Sequence, residues 1–206
     1  LDKTMELYEK INTILLTEEK PSMILNKHIK DEIKVIGYPF NYIAQFIGLN
    51  QEPKYHPEGD VWNHTMQVVD LATQYKKESK DQRAFMWGAF LHDIGKTKTT
   101  KIRKGRITSY NHDIEGKSLA EEFLTYFRED KEFIRKVTAI VRWHMQTLFV
   151  AKNLPFSDLE HMKMEIDPKE IYLISLCDRL GRGPITKEKE QEVKSQLNMF
   201  LQKARE

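Results

Sequence analysis

The segment that most limits what this chain can fold into runs from Ala84 to Leu91, Ala-Phe-Met-Trp-Gly-Ala-Phe-Leu. It holds no charged side chain and offers no polar face to water. As a helix it needs cover on every side, so it belongs at the centre of a bundle. Asp81 stands just upstream, where a helix N-cap belongs. Directly after Leu91 come His92 and Asp93. The most buried helix of the chain therefore ends in an imidazole and a carboxylate. Burying a carboxylate without a partner costs several kcal/mol or more, so Asp93 demands a strong one.

Other helices must supply the cover. Apolar residues recur at helical spacing over residues 2–16, 21–36, 40–47, 61–77, 114–127, 131–143, 155–164, 168–180 and 186–204, and a helix from 81 ends over His92-Asp93-Ile94-Gly95-Lys96. Gly37, Pro39 and Gly48 break the early helices, and Pro53, Pro57 and Gly59 mark residues 50–59 as a loop. Ile102 and Ile107 flank Lys104-Gly105, which predicts a small β-hairpin near residues 101–110. The fold class is all-α with that hairpin as its one β element. A weak boundary near Asn50 separates an N-terminal helical lobe, residues 1–50, packed on the main domain of residues 51–206. In the last helix Val193, Leu197, Met199, Phe200 and Leu201 either pack back on the core or form a dimer seam. Core packing is the preferred reading; the chain is expected to be a monomer or a homodimer.

Composition removes several classes. A chain of 206 residues with 40% hydrophobic side chains is sized for one ordinary core. Its apolar runs fall short of the ~18 residues that cross a bilayer, so no membrane span is expected. Cys177 is the only cysteine, which excludes a disulfide framework or a cysteine-rich metal site. No charged-then-apolar leader is visible, and a reducing cytoplasm is the expected setting. Lys+Arg number 33 against 31 Asp+Glu, which argues against a whole surface built for nucleic acid. Lys96, Lys98, Lys101, Arg103, Lys104 and Arg106 form a local exception, a run with no acid. It reads either as a solvated loop or as a strip that gathers a polyanionic substrate.

The remaining signal is a set of histidines and aspartates at helix ends. His64 lies in the first turn of the helix from Val61, His112 and Asp113 open the helix near 114, and His144 ends the helix near 143. Asp178 sits within Leu-Cys-Asp-Arg-Leu, in a further apolar helix. Any one of them alone is ordinary. Beside His92-Asp93 they gain meaning as a group, because a divalent cation held by imidazole and carboxylate would satisfy both Asp93 and Asp178. His28, His56 and His161 read as ordinary hydrogen-bonded histidines, His56 with the alternative of shaping the site entrance. Trp62 and Trp143 read as core rather than as base-stacking surfaces. Asp113 reads as the N-cap of its own helix rather than as an acceptor orienting His112 or His144.

The order His64, His92-Asp93, Asp178 resembles the H…HD…D signature of the HD-domain metal-dependent phosphohydrolases. "YHPEGDVWNHTMQVVD", "AFLHDIGK", "GRITSYNHDIEGKSLAEEF" and "LISLCDRLGR" are similar to the HD region of bacterial tRNA nucleotidyltransferases and poly(A) polymerase-like proteins, over roughly residues 50 to 185. The resemblance implies an HD-domain helical bundle and a metal-activated water that cleaves a phosphate mono- or diester of a nucleotide or related substrate. It implies His64, His92, Asp93 and Asp178 as ligands of a primary metal. His112 and His144 would bind a second metal, with Asp93 bridging, or contact phosphate or the leaving group. Lys96, in the family's HDxGK pattern, and Arg179 would contact substrate phosphate, with Arg182 a weaker candidate; Asp93 and Lys96 would be the catalytic pair. Imidazole with carboxylate suits Mn, Fe, Ni, Co or Zn, with Mg also open, better than Ca. One departure stands out. The nucleotidyltransferase head, with its glycine-rich turn and paired aspartates, has no counterpart in residues 1–50, so hydrolysis and not nucleotide addition is expected. The alternatives are a non-catalytic RNA- or tRNA-binding remnant and a diiron oxygenase.

Overall fold

The computed structural model describes residues 2–206. Helix α1 spans Lys3–Thr17, α2 Pro21–Ile24, α3 Lys30–Ile36, α4 Asn41–Ala44, α5 Val61–Tyr75 and α6 Gln82–Leu91. A one-turn helix α7, Lys96–Thr99, leads into strands β1, Lys101–Arg103, and β2, Arg106–Thr108. Then follow α8 His112–Tyr126, α9 Lys131–Trp143, α10 Gln146–Ala151, α11 Leu159–Glu165, α12 Pro168–Leu180 and α13 Lys187–Arg205. The all-α class and the hairpin agree with the sequence reading. Among the described residues no helix is long and apolar enough to cross a membrane.

Helix α6 is the axle. Every residue from Ala84 to Leu91 is buried, and α1, α5, α9 and α12 pack around it. Gly88 lets α9 come close: a Cβ there would lie 2.7 Å from Ile140 Cγ2. Leu7, Ile11, Leu15, Ile33 and Phe46 from the first fifty residues share one apolar core with Phe90, Val141 and Ile174. In α13, Val193, Leu197 and Phe200 are buried, and the helix packs on α12 and α10. Side chains close most helix starts. Asp60 accepts from Asn63 N at 2.8 Å, Asp81 from Ala84 N at 3.0 Å and Asp130 from Phe133 N at 2.8 Å.

Three elements differ from the expectation. Residues 21–36 are not one regular helix, because a π-turn over Leu25–Ile29 separates α2 from α3. In that widened turn Leu25 and Ile29 are buried, and Asn26 accepts a 2.8 Å hydrogen bond from the Trp62 indole. The helix expected at 155–164 starts later, at Leu159, and α10 precedes it. The late start follows from two contacts: Asp158 caps α11 by accepting from His161 N at 3.2 Å, and Gln146 accepts from Asp158 N at 2.7 Å and donates to Phe156 O at 3.3 Å, which holds the stretch before Asp158 as irregular backbone. Finally, α6 stops at Leu91. His92 to Gly95 form a turn, and Lys96 opens α7 instead of ending α6.

That turn sits hard against α8. A Cβ on Gly95 would fall 1.9 Å from the His112 carbonyl oxygen and 2.6 Å from Gly116 N. Both obstacles are backbone and cannot swing away. Gly95→Ala should therefore cost about 3 kcal/mol or more in urea unfolding, at the upper end of overpacking penalties, whereas an exposed change such as Met164→Ala should stay within about 0.5 kcal/mol.

Candidate metal centre

The turn after α6 carries His92 and Asp93, and four further elements bring partners to them. His64 comes from the first turn of α5, Asp178 from the last turns of α12, and His112 and His144 from the start of α8 and the end of α9. All six side chains are buried. The sequence reading picked these six, and the fold gathers them around one carboxylate.

The four imidazoles are oriented alike. His64 Nδ1 lies 2.9 Å from Gly181 O, His92 Nδ1 2.7 Å from Ala89 O, His112 Nδ1 2.9 Å from Ser109 O and His144 Nδ1 2.7 Å from Val141 O. A carbonyl oxygen only accepts, so each Nδ1 carries the hydrogen and donates. In a neutral ring each Nε2 is then left with a lone pair. Those four lone pairs point inward.

What they point at is crowded with further acceptors. His64 Nε2 is 2.8 Å from Asp178 Oδ1 and 3.7 Å from Asp93 Oδ2. His92 Nε2 is 3.2 Å from Asp93 Oδ2 and 3.6 Å from Asp178 Oδ1. On the far side of the same carboxylate, His112 Nε2 lies 3.3 Å and His144 Nε2 3.6 Å from Asp93 Oδ1, and these two nitrogens are 3.1 Å apart. Asp93 thus turns one oxygen to each pair of histidines. Ligands that share one ion at ~2.1 Å bond lengths sit about 3.0–3.4 Å from one another. The rings of atoms on both sides of Asp93 approach those spacings.

Two buried atoms test the fit to a metal directly. His92 Nε2 and Asp93 Oδ2 have no hydrogen-bond donor or acceptor among the described residues. Lys96 Nζ is 3.0 Å from Asp93 Oδ2, a charge contact without the geometry of a hydrogen bond. Two orphaned atoms side by side, among the few buried polar atoms without a partner, mark a place for an unseen partner. The field agrees. Burial alone would push the His92 imidazole down, yet the charges of Asp93 and Asp178 outweigh it and raise the ring to about 10. Burial would likewise raise Asp93 and Asp178. Instead His92 and Lys96 beside Asp93, and Arg182, His64 and His92 beside Asp178, hold both acids well below the usual carboxylate range. The residues fit a divalent cation. His64, His92 and Asp93 offer ligand atoms within 4.8 Å of one another, and so do Asp93, His112 and His144.

Around this core the basic residues divide. Lys96 is buried, with Nζ donating to Gln51 Oε1 at 2.7 Å. Of the two arginines after Asp178, Arg182 approaches it: Nη2 lies 3.6 Å from Asp178 Oδ1, and Nε donates to its backbone oxygen at 3.3 Å. Arg179 is half-buried, and its Nη1 has no hydrogen-bond partner. Asp113 does not cap α8. Asn111 occupies the cap position in a left-handed conformation, and the Asp113 carboxylate turns instead to Arg142 Nη1 at 3.0 Å. Trp62 and Trp143 are core residues, as read; the Trp143 indole donates to Glu165 Oε2 at 2.6 Å. His28 and His161 are exposed and lie outside the centre.

One residue escaped the sequence reading. Glu58 has a buried side chain, and its Oε1 lies 2.8 Å from His56 Nδ1 and 2.8 Å from His64 Nδ1. The His64 N–H therefore lies between this carboxylate and the Gly181 carbonyl. Burial would raise the Glu58 carboxyl, but His56 and His64 overcome it and lower it to about 2. His56 itself is pushed down to about 4, by burial first and then by Lys96 and Arg182. In sequence Glu58 is one more acid in a proline-bearing loop. Its position two residues from His56 and six from His64 was the available signal.

Comparison with known proteins follows the same outline. The HD domain model matches residues 61–183, more than half of the chain. A multifunctional CCA protein of Actinobacillus pleuropneumoniae is 31% identical over 91 residues, which covers 44% of this chain and 22% of that one. A CC-adding tRNA nucleotidyltransferase of Thermus thermophilus is 24% identical over 183 residues, 87% of this chain and 40% of that one. A multifunctional CCA protein of Neisseria gonorrhoeae is 30% identical over 103 residues. The chain spans less than half the length of these relatives. All four positions of the H…HD…D order lie within the matched segment and converge in space, and the chain belongs to the HD-domain family.

Proposed function

We propose that the protein hydrolyses a phosphate mono- or diester of a nucleotide or a related compound at a centre of two divalent transition-metal ions. His64, His92, Asp93 and Asp178 would hold the first ion; His112, His144 and the second oxygen of Asp93 would hold the other. The observation that carries this reading is the set of four Nε2 lone pairs facing the two oxygens of a single buried carboxylate. When bound, such cations lower the pKa of a water from ~15.7 toward ~7 and offset the negative oxygens that shield phosphorus.

The chain's own residues do the rest. The backbone carbonyls that pin each Nδ1 fix the imidazoles before substrate arrives, so little reorganisation is left for the reaction. Lys96 sets an ammonium beside Asp93, where it can donate to a phosphate oxygen while Gln51 Oε1 accepts from the same Nζ and fixes its position. Arg182 and the unpartnered Nη1 of Arg179 supply positive charge on the Asp178 side. In the reaction a new bond forms between the water oxygen and phosphorus, the bond to the leaving oxygen breaks, and that oxygen takes up a proton. These cations favour an anionic substrate over dioxygen, which sets the hydrolase above the oxygenase. Residues 51–206 would form the hydrolytic unit and residues 1–50 the lobe that closes the core around α1 and α6. Mn, Fe, Ni, Co and Zn all suit the donor set, with Mg a weaker fit.

Elemental analysis of the purified protein, paired with a panel of nucleoside monophosphates, cyclic nucleotides and phosphodiesters, tests the proposal. The parent should carry transition metal and turn over at least one substrate. Asp93→Ala should lose the metal and lower turnover by about 10³-fold or more. A metal-replete parent that cleaves nothing in the panel removes the reading. Lys96→Ala should separate charge from metal binding: metal content is retained while kcat/KM drops about 100-fold. For Glu58, which acts on His64 from behind, Glu58→Ala should weaken metal affinity by about 10- to 100-fold in a chelator competition, and Glu58→Gln should recover part of the loss.

A further inference from the structure

The acid-free run that begins at Lys96 builds a feature that the metal centre does not use. β1 and β2 form a hairpin in the register Lys101↔Thr108, Ile102↔Ile107 and Arg103↔Arg106. Lys104 and Gly105 turn it with φ of 50° and 75°, both left-handed, as a two-residue hairpin turn requires. Directly opposed residues share a face, so Lys101, Arg103 and Arg106 lie together on one side. Like charges facing each other across two strands destabilise a hairpin. Here no acid offsets them: among the described residues the one ion pair within 96–106 is that of Lys96 with Asp93. Lys98, Lys101, Arg103, Lys104 and Arg106 are all exposed.

An aromatic ring completes the strip. Tyr110, two residues before His112, is 64% exposed, and the Arg103 guanidinium lies 5.2 Å from its ring centroid. The hairpin does not hang loose. Ile107 N donates to Glu52 Oε2 at 3.0 Å, and Thr100 and Ser109 hydroxyls meet at 2.8 Å across its base. One end of the strip thus follows Lys96 and the other leads into His112, both at the metal centre.

We propose that this hairpin and Tyr110 form a docking strip for a single-stranded polynucleotide whose phosphorylated end enters the metal centre. Arginine and lysine along a track, with an exposed ring for a base to stack on, is the chemistry of single-strand binding. A duplex is too bulky to bring its terminal phosphate to imidazoles that are buried. An anionic membrane would need a broad apolar face to insert, and the opposite side of the hairpin offers only Ile102, 79% exposed, beside its half-buried partner Ile107. The docking step stands on the hairpin's own residues; only the entry of the phosphorylated end rests on the hydrolytic reading above.

Fluorescence anisotropy with the full chain tests it, using labelled oligonucleotides of about twelve nucleotides, within the ~4–16 nucleotides that a single-strand site covers. RNA and DNA versions form separate arms that identify the sugar. Affinity should fall with salt, at a slope of about −0.7 per neutralised phosphate. The double variant Arg103→Ala/Arg106→Ala should weaken binding about tenfold or more and flatten that slope by about 1.4. Tyr110→Ala should weaken binding about tenfold. All three residues are exposed, so thermal melting should match the parent. In turnover, an oligonucleotide with a terminal phosphate should lose its kcat/KM advantage in the double variant, while hydrolysis of a nucleoside monophosphate is unchanged.

Equal binding by parent and double variant overturns the proposal. So does preference for a duplex, or for vesicles containing phosphatidylserine, over the single strand. Hairpin-dependent binding without hydrolysis of any substrate supports the strip and removes the phosphohydrolase reading alone.

Discussion

Too many electron pairs face one small volume at the heart of this molecule. Four imidazole nitrogens and the carboxylates of Asp93 and Asp178 meet there, and the opposite ring nitrogen of each histidine is committed to a backbone carbonyl. His112 Nε2 and His144 Nε2 face one another at 3.1 Å with no hydrogen available to either in the neutral state. Only a positive charge can make such an arrangement favourable. Protons can supply part of it, as the upward push on His92 indicates, but a proton serves two acceptors at most. A divalent ion serves four to six, and two ions on either side of Asp93 would use every lone pair the fold has turned inward. The cost of desolvating these carboxylates would then be returned by coordination, where an ordinary buried ion pair often falls short.

Holding acceptors together against their repulsion needs a stiff frame, and the backbone provides it. The ligands come from the starts or ends of helices, where the last carbonyls have no partner within the helix. His92 and His144 each bond the carbonyl three residues back, on Ala89 and Val141. The same free carbonyl that ends a helix thereby fixes a ring. Gly95 allows the turn bearing Asp93 to touch α8 backbone to backbone, so His112 and Asp93 cannot drift apart independently. Arg142 with Asp113 ties α9 to α8 at the next level out. Rigidity at the centre is therefore a property of helix ends meeting at contact distance, with loops contributing chiefly Glu58 and Gln51.

Much of this was legible in the sequence for a physical reason. Ala84–Leu91 leaves no face for water, so its central place follows from composition alone, and whatever follows Leu91 must end in the interior. Asp178, amid Leu176, Cys177 and Leu180, is legible by the same logic. What escaped depends on contacts that the chain does not announce. Glu58 looks like a loop acid until Pro57 and Gly59 fold it under His64. The cap reading of Asp113 was sound as local chemistry, but Arg142, twenty-nine residues away, offers a full charge where a backbone N–H offers a dipole. Helix α10 lacks a capping side chain, and Gln146 shapes the chain after it through bonds to Phe156 and Asp158 that no local window contains.

The charge pattern links the interior to the surface. At the centre, acids gather and basic groups are few: Lys96 and Arg182 stand against Asp93, Asp178 and Glu58. Along 98–106 the pattern reverses, with cations exposed and acids absent. Near-neutral net charge for the whole chain thus conceals a separation of charge over a short distance. On the proposed reading a phosphate ester would meet the basic track first and the acidic cage last, and Lys96 belongs to both. Its position at the boundary follows from one structural fact, the end of α6 at Leu91. Because the turn intervenes, Lys96 points back toward Asp93 from the start of α7 instead of trailing into solvent from the end of a longer helix.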